Sequence, residues 1–211
     1  MNILLTLSII AGLLSLLFLV VLHFTSSEFD PSWRMVSEYA LGKHKWQLTM
    51  FFYLWGSSSI LLAIALLFTV SSFWAYAGVL LLFASGIGAV CGGLFDVNHR
   101  LHGMSFGLGV PTFPVAALLI TYHLVGNVIS DGTIALVLAH ASWITILLMV
   151  AGMMQLFAGF KKAGIKYDKD SPPPSELPKG LIAFAGYANR LLVVCYILWN
   201  IYMAYRLKSL L

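Results

Sequence analysis

The chain has 211 residues, of which 60% are hydrophobic and only 9% charged; its mean hydropathy is +0.92 and its formal net charge +4. A soluble globular domain carries about 25% charged residues, and no soluble core buries this much apolar side chain while keeping a wettable exterior. The composition excludes an ordinary water-soluble fold, and the basic excess has no cluster interleaved with stacking aromatics, so no nucleic-acid partner is expected.

Six apolar runs follow one another, at roughly 3–24, 48–70, 74–95, 105–126, 133–159 and 184–207. Each is about 20 residues or slightly longer, enough for a helix to cross a ~30 Å hydrocarbon core. None alternates as a membrane strand would. The expected architecture is all-α, a polytopic membrane protein with six transmembrane helices in one bundle, using the chain as a single domain with membrane lipids around it.

The first run follows Met1 and Asn2 directly, without a positive n-region or a small-residue cleavage site, so it reads as a retained span. Behind it lie Arg34, the Ser37-Glu38-Tyr39 triplet and a turn around Gly42–Trp46. The third run ends in the densest polar stretch of the chain, Phe95–Gly103, which holds Asp96, Asn98, His99, Arg100 and His102. Such groups beside a bilayer need partners, water or a role. If the third helix continues through this stretch, Asp96, His99 and His102 recur every three residues on one face. A carboxylate and two imidazoles so arranged suit zinc or acid–base chemistry. The motif is short and of low specificity, and a solvated helix end or an Asp96–Arg100 ion pair accounts for the same residues.

Gly88/Gly92 and Gly103/Gly107 are each spaced by four, which lets helix backbones approach closely. Pro111 and Pro114 interrupt the fourth run and predict a kink or a freed carbonyl. His123 and His140 lie toward the opposite end of their helices. Interhelical hydrogen bonding is the stronger reading for them, because axial haem ligation in a dihaem protein needs two matched pairs. Cys91 and Cys195 fall inside apolar runs and read as small packing residues. The 160–183 linker is charged and then proline-rich, and is expected to be extended and mobile, with no catalytic role. Arg190 sits inside the sixth run. A charge at the centre of a membrane helix costs roughly 2.5–3.5 kcal/mol on insertion scales, so it predicts a partner, with Asp96 and Glu38 the best-placed carboxylates and a lipid phosphate the other match for its fork.

Charge asymmetry orients the chain. Nine Lys and Arg lie in the loops after spans one, three and five, against Arg206 and Lys208 on the other side. By the positive-inside rule those longer loops face the cytoplasm and both termini face outward. His23, Glu38, Asp96, His99, His102, Gln155, Asn189 and Arg190, dispersed in sequence, then fall on one side of the membrane.

Three segments resemble the large prokaryotic membrane-protein family known as domain of unknown function 998. They are Phe29–Gly42 with its Asp30-Pro31, Arg34 and Ser37-Glu38; Gly92–Asp96 followed by His102-Gly103; and Gly186–Arg190 with Trp199 beyond. The resemblance implies a six-helix integral membrane protein and singles out Ser37, Glu38, Asp96, His102 and Arg190. It implies no activity.

The polar-site candidates are therefore Ser37, Glu38, Asp96, His99, His102, Asn189 and Arg190, with Asp96, His99 and His102 the candidate metal ligands. The leading reading is a cytoplasmic-side site that binds a lipid headgroup or small amphiphile. A metal-assisted intramembrane hydrolase and a structural subunit stay open beside it. The paired C-terminal histidines and seventh helix of membrane ceramidases are missing, and no P-loop, nucleophile elbow or H-E-x-x-H motif occurs.

Overall fold

The computed structural model describes residues 1–165, 174 and 176–211. Their α-helices are α1 (Asn2–Thr25), α2 (Lys45–Leu66), α3 (Phe73–Leu94), α4 (His102–Gly109), α5 (Thr112–Leu124), α6 (Thr133–Lys162) and α7 (Ala185–Lys208), with a short 3-10 helix at Val36–Leu41. α4 and α5 together form one span, so six long apolar helical segments cross the bundle and no strand occurs among the described residues. This is a multi-pass membrane protein. Each span packs on its sequence neighbours, and α7 closes the ring on α1.

The distribution of side chains is that of a bundle in lipid. On α1 the inward face carries Ser8, Ala11, Gly12 and Ser15, while Leu7, Ile10, Leu13, Leu14 and Leu17 are exposed. In water the large aliphatics would turn inward. In lipid they gain nothing by doing so, and small residues that let backbones approach face the neighbours. Gly56 of α2 and Gly86 of α3 meet this way: a Cβ on Gly56 would lie 2.6 Å from the Gly86 carbonyl oxygen.

Hydroxyls and amides bond between helices, each contributing about 0.6 kcal/mol in such bundles. Ser8 Oγ donates to the Ser58 carbonyl at 2.8 Å and Ser58 Oγ returns a bond to the Ser8 carbonyl at 2.9 Å. Asn200 Nδ2 donates to Ser59 Oγ at 2.8 Å, and Trp199 Nε1 to Thr121 Oγ1 at 3.0 Å.

The fourth span breaks at Val110–Pro111. Pro114 has no N–H for the Val110 carbonyl four residues back, and its ring crowds that oxygen. Tyr196 Oη donates to it instead, at 2.9 Å, and Ser85 Oγ donates to the Gly109 carbonyl at 2.6 Å. The prolines thus interrupt the helix without leaving the right-handed helical region, and the Gly109 and Val110 carbonyls there are bonded from α3 and α7.

The four-residue glycine spacings divide. A Cβ on Gly88 would sit 2.4 Å from the Gly109 nitrogen, so α3 and α4 touch backbone to backbone there. Gly92 faces Phe52 at ordinary distance, and Gly103 and Gly107 meet nothing within 4 Å. The close approach expected on α4 is made by Gly109, outside the predicted pair. The expectation for the 160–183 linker falls largely on residues 166–173 and 175, which lie outside the described residues. Beside them, Leu181 packs over Gly159, and Gln155 Nε2 donates to the Ile182 carbonyl.

Candidate functional site

The segment after α1 is built by its own short side chains. Asp30 Oδ1 accepts from Ser32 N at 2.9 Å, a local turn that competes with helix in the segment between α1 and the 3-10 helix. Glu38 then reaches back to the start of the 3-10 helix. Its Oε2 accepts from Met35 N at 2.6 Å, and its Oε1 takes Arg34 Nη1 at 2.8 Å. Asn189 Oδ1, from α7, accepts from Val36 N at 2.9 Å. The leading N–H groups of this helix are therefore satisfied from two directions, once locally and once from the last span.

α7 meets this segment at Gly186. Its N–H donates to the Ser32 carbonyl at 3.0 Å, and a Cβ there would lie 2.5 Å from the Pro31 oxygen and 2.6 Å from the Arg34 oxygen. Only glycine allows that approach. One turn on, Arg190 is 9% exposed. Its Nη1 donates to the carbonyls of Arg34 at 2.7 Å, Gly186 at 2.9 Å and Pro31 at 3.2 Å; Nη2 donates to Tyr39 Oη at 2.9 Å. Nε donates to His23 Nε2. His23 Nδ1 lies 2.6 Å from the Leu19 carbonyl, which can only accept, so the proton is on Nδ1 and Nε2 is free to receive the guanidinium.

The expected Arg190 partnership with Asp96 or Glu38 is therefore not what forms. Arg34, four residues before Glu38, occupies that carboxylate, and Lys45 Nζ takes Asp96 Oδ2 at 2.5 Å. Among the described residues Arg190 has no carboxylate and spreads its charge over carbonyl dipoles, an imidazole and a phenol. Five donors in a rigid fork suit that task, where a lysine ammonium would not.

The Phe95–Gly103 stretch also departs from expectation. α3 ends at Leu94, after Gly92-Gly93, and Asp96 Oδ1 accepts from Asn98 N at 3.1 Å while His99 Nδ1 accepts from Leu101 N at 3.2 Å. These local bonds hold a turn in place of helix, so Asp96, His99 and His102 do not share a helical face. Asp96 pairs with Lys45 at the surface, and that ammonium, its hydrogen-bond partner, holds the carboxyl below the usual carboxylate range. His99 stacks on Phe95 and is exposed. His102 bonds the Phe95 carbonyl through Nδ1 at 2.9 Å. Among the described residues no three His, Cys, Asp or Glu side chains gather as a metal would require. At the far end, His123 is bonded by Ser71 N and Ser72 Oγ, and His140 by Tyr122 and Trp143.

Ser37, His102 and Asn189 do come together. They line a cavity of about 70 Å³ under the 3-10 helix, between α2, α3, α4 and α7. Phe52, Trp55, Leu192 and Val193 form its apolar wall. Trp55 is 3% exposed, and its indole N–H, closed off from water-sized space, has no hydrogen-bond acceptor among the described residues. A buried donor left unmade costs about 1–3 kcal/mol. Glu38 and Arg190 belong to the adjoining network, and Asp96 and His99 stand outside it. Arg34 and Tyr39 are network members that sequence reasoning did not select, although the four-residue step from Arg34 to Glu38 signals that pair. Nothing in the apolar run around Trp55 marks it.

The model of a family described as "Protein of unknown function (DUF998)" matches residues 9–206. The chain belongs to this family. The DUF998 match spans all six long helical segments in whole or in part and includes the three segments that meet around Arg190 and the cavity. No curated protein and no solved structure matches the chain.

Proposed function

We propose that this protein binds a lipid headgroup or small amphiphile in the cavity under the 3-10 helix, and that this end of the bundle faces the cytoplasm. The observation that carries the reading is the cavity of about 70 Å³ itself, whose apolar wall is interrupted by Ser37, His102, Ser105 and Asn189 from three different parts of the chain. Ligand sites combine mostly apolar walls with a few convergent polar groups, and this cavity has both.

Native mass spectrometry of the full chain released from its membrane tests the reading. A population carrying one bound lipid is expected to survive extensive detergent exchange. It should vanish in Gly92→Leu, whose Cβ would meet Phe52 at an ordinary 3.5 Å while the longer side chain takes up cavity space. Equal lipid retention in the parent and Gly92→Leu would overturn it.

The orientation rests on the nine-to-two distribution of Lys and Arg. A membrane-impermeant maleimide applied to intact cells is expected to leave exposed Lys43→Cys unmodified and to label Lys208→Cys. The reverse pattern would invert the topology.

A further inference from the structure

His23 is the titratable group on which the Arg190 network turns. It is half-buried near the end of α1, against α7 and the 3-10 helix. Both ring nitrogens are engaged: Nδ1–H donates to the Leu19 carbonyl at 2.6 Å, and Nε2 accepts from Arg190 Nε. Each partner allows one role, since a carbonyl cannot donate and a guanidinium cannot accept. The ring fits this place as the neutral Nδ1–H tautomer. A second proton would go to Nε2, setting two N–H groups and two positive charges face to face.

The surroundings offer that second charge no compensation. From α7 the group facing His23 is Arg190 itself. From the 3-10 helix it is Tyr39, with ring centroids 5.6 Å apart, and the Tyr39 hydroxyl already accepts from Arg190 Nη2. Glu38 is bonded to Arg34 and Met35 N, and Asp30 to Ser32 N. Glu28 lies against Gly42, past the 3-10 helix. From α2, Gln47 bonds Thr25, and Lys45 is held by Asp96. No carboxylate among the described residues bonds His23.

What this contact controls is the roof of the cavity. Val36 and Ser37 of the 3-10 helix line the space beneath. The segment that carries them is held to the last span by the bonds of Arg190 to the Pro31 and Arg34 carbonyls and to Tyr39. A guanidinium pushed away from His23 weakens all three.

We propose that His23 is an acid-sensitive latch: a second proton on its ring displaces the Arg190 guanidinium and releases the 3-10 segment from α7, loosening the roof of the cavity. The latch does not depend on what the cavity binds.

Hydrogen exchange of the full chain in micelles, read by mass spectrometry over residues 30–42, tests it. Rates at each pH are divided by those of an unstructured chain at the same pH, so that opening alone is measured. The latched form has no place for the second proton, whereas the ring of the opened segment takes it with the ordinary histidine midpoint of about 6.5. Lower pH therefore favours opening, and protection over 30–42 is expected to fall about 30-fold between about pH 8 and about pH 5. His23→Gln offers Arg190 an amide oxygen as acceptor but does not titrate, and is expected to remove most of that fall. Protection in the parent that is the same at both pH values would overturn the latch without recourse to any variant. An acid loss of equal size in His23→Gln and the parent would also overturn it.

Discussion

Arg190→Met is expected to destabilise the folded bundle by about 3 kcal/mol or more, read as a loss of midpoint in reversible unfolding from mixed detergent micelles. The methionine fills much of the same volume but donates nothing. The Pro31 and Arg34 carbonyls, Tyr39 Oη and His23 Nε2 each lose a donor in a place with little water. The Gly186 carbonyl suffers least, because it is also positioned for the backbone N–H of residue 190 in the helix ladder. Removing a buried charge offsets part of the cost, but four stranded acceptors outweigh it. Arg190→Lys keeps the charge and should recover less than half of the loss, because one ammonium cannot reach from His23 to Tyr39 and the loop carbonyls at once. An Arg190→Met midpoint indistinguishable from that of the parent would show that the guanidinium does not hold this end together.

The second large effect is expected at Gly88. An added methyl there would lie 2.4 Å from the Gly109 nitrogen and 2.5 Å from its Cα. Both are backbone atoms, so relief requires moving α4 away from α3, and overpacking of this kind costs about 1–3 kcal/mol. The reciprocal change is benign: a Cβ on Gly109 would find its nearest neighbour at 3.4 Å. Gly88→Ala should therefore lower the unfolding midpoint clearly and Gly109→Ala barely, although both add one methyl at the same crossing. Because Gly88 and Gly109 both line the cavity, Gly88→Ala should also alter lipid retention. Equal midpoints for the two variants would mean that the helices part without strain.

The contrast between these sites and the sequence shows where one-dimensional reading succeeds. Long apolar runs become long helices because lipid leaves the backbone no other way to satisfy its hydrogen bonds over that length. Hydropathy alone was enough for the six segments. Polar partnerships obey shorter rules. Arg190 looked for a carboxylate across the bundle, yet Glu38 had a nearer cation at Arg34 and Asp96 had one at Lys45. Topology placed all of these groups at one end but could not rank their distances. The Asp96–His102 stretch was legible as polar and illegible in shape, because a helix and an Asx turn share the same residues and only local bonding decides between them. Ser37, His102 and Asn189 reach one cavity through a resemblance signal and a depth argument, whereas Trp55 carries no mark in the sequence at all.

The bond between Arg190 and the Arg34 carbonyl joins residues 156 positions apart, and that separation bears on biogenesis. The segment behind α1 leaves the ribosome early, yet its carbonyls, Tyr39 and the first N–H of its 3-10 helix receive partners from the final span. Until that span is made and inserted, the early segment lacks its native bonding. The last helix thus acts as the clasp of the fold: a nascent chain stalled before it would carry an unfinished loop, its polar groups still without their native partners.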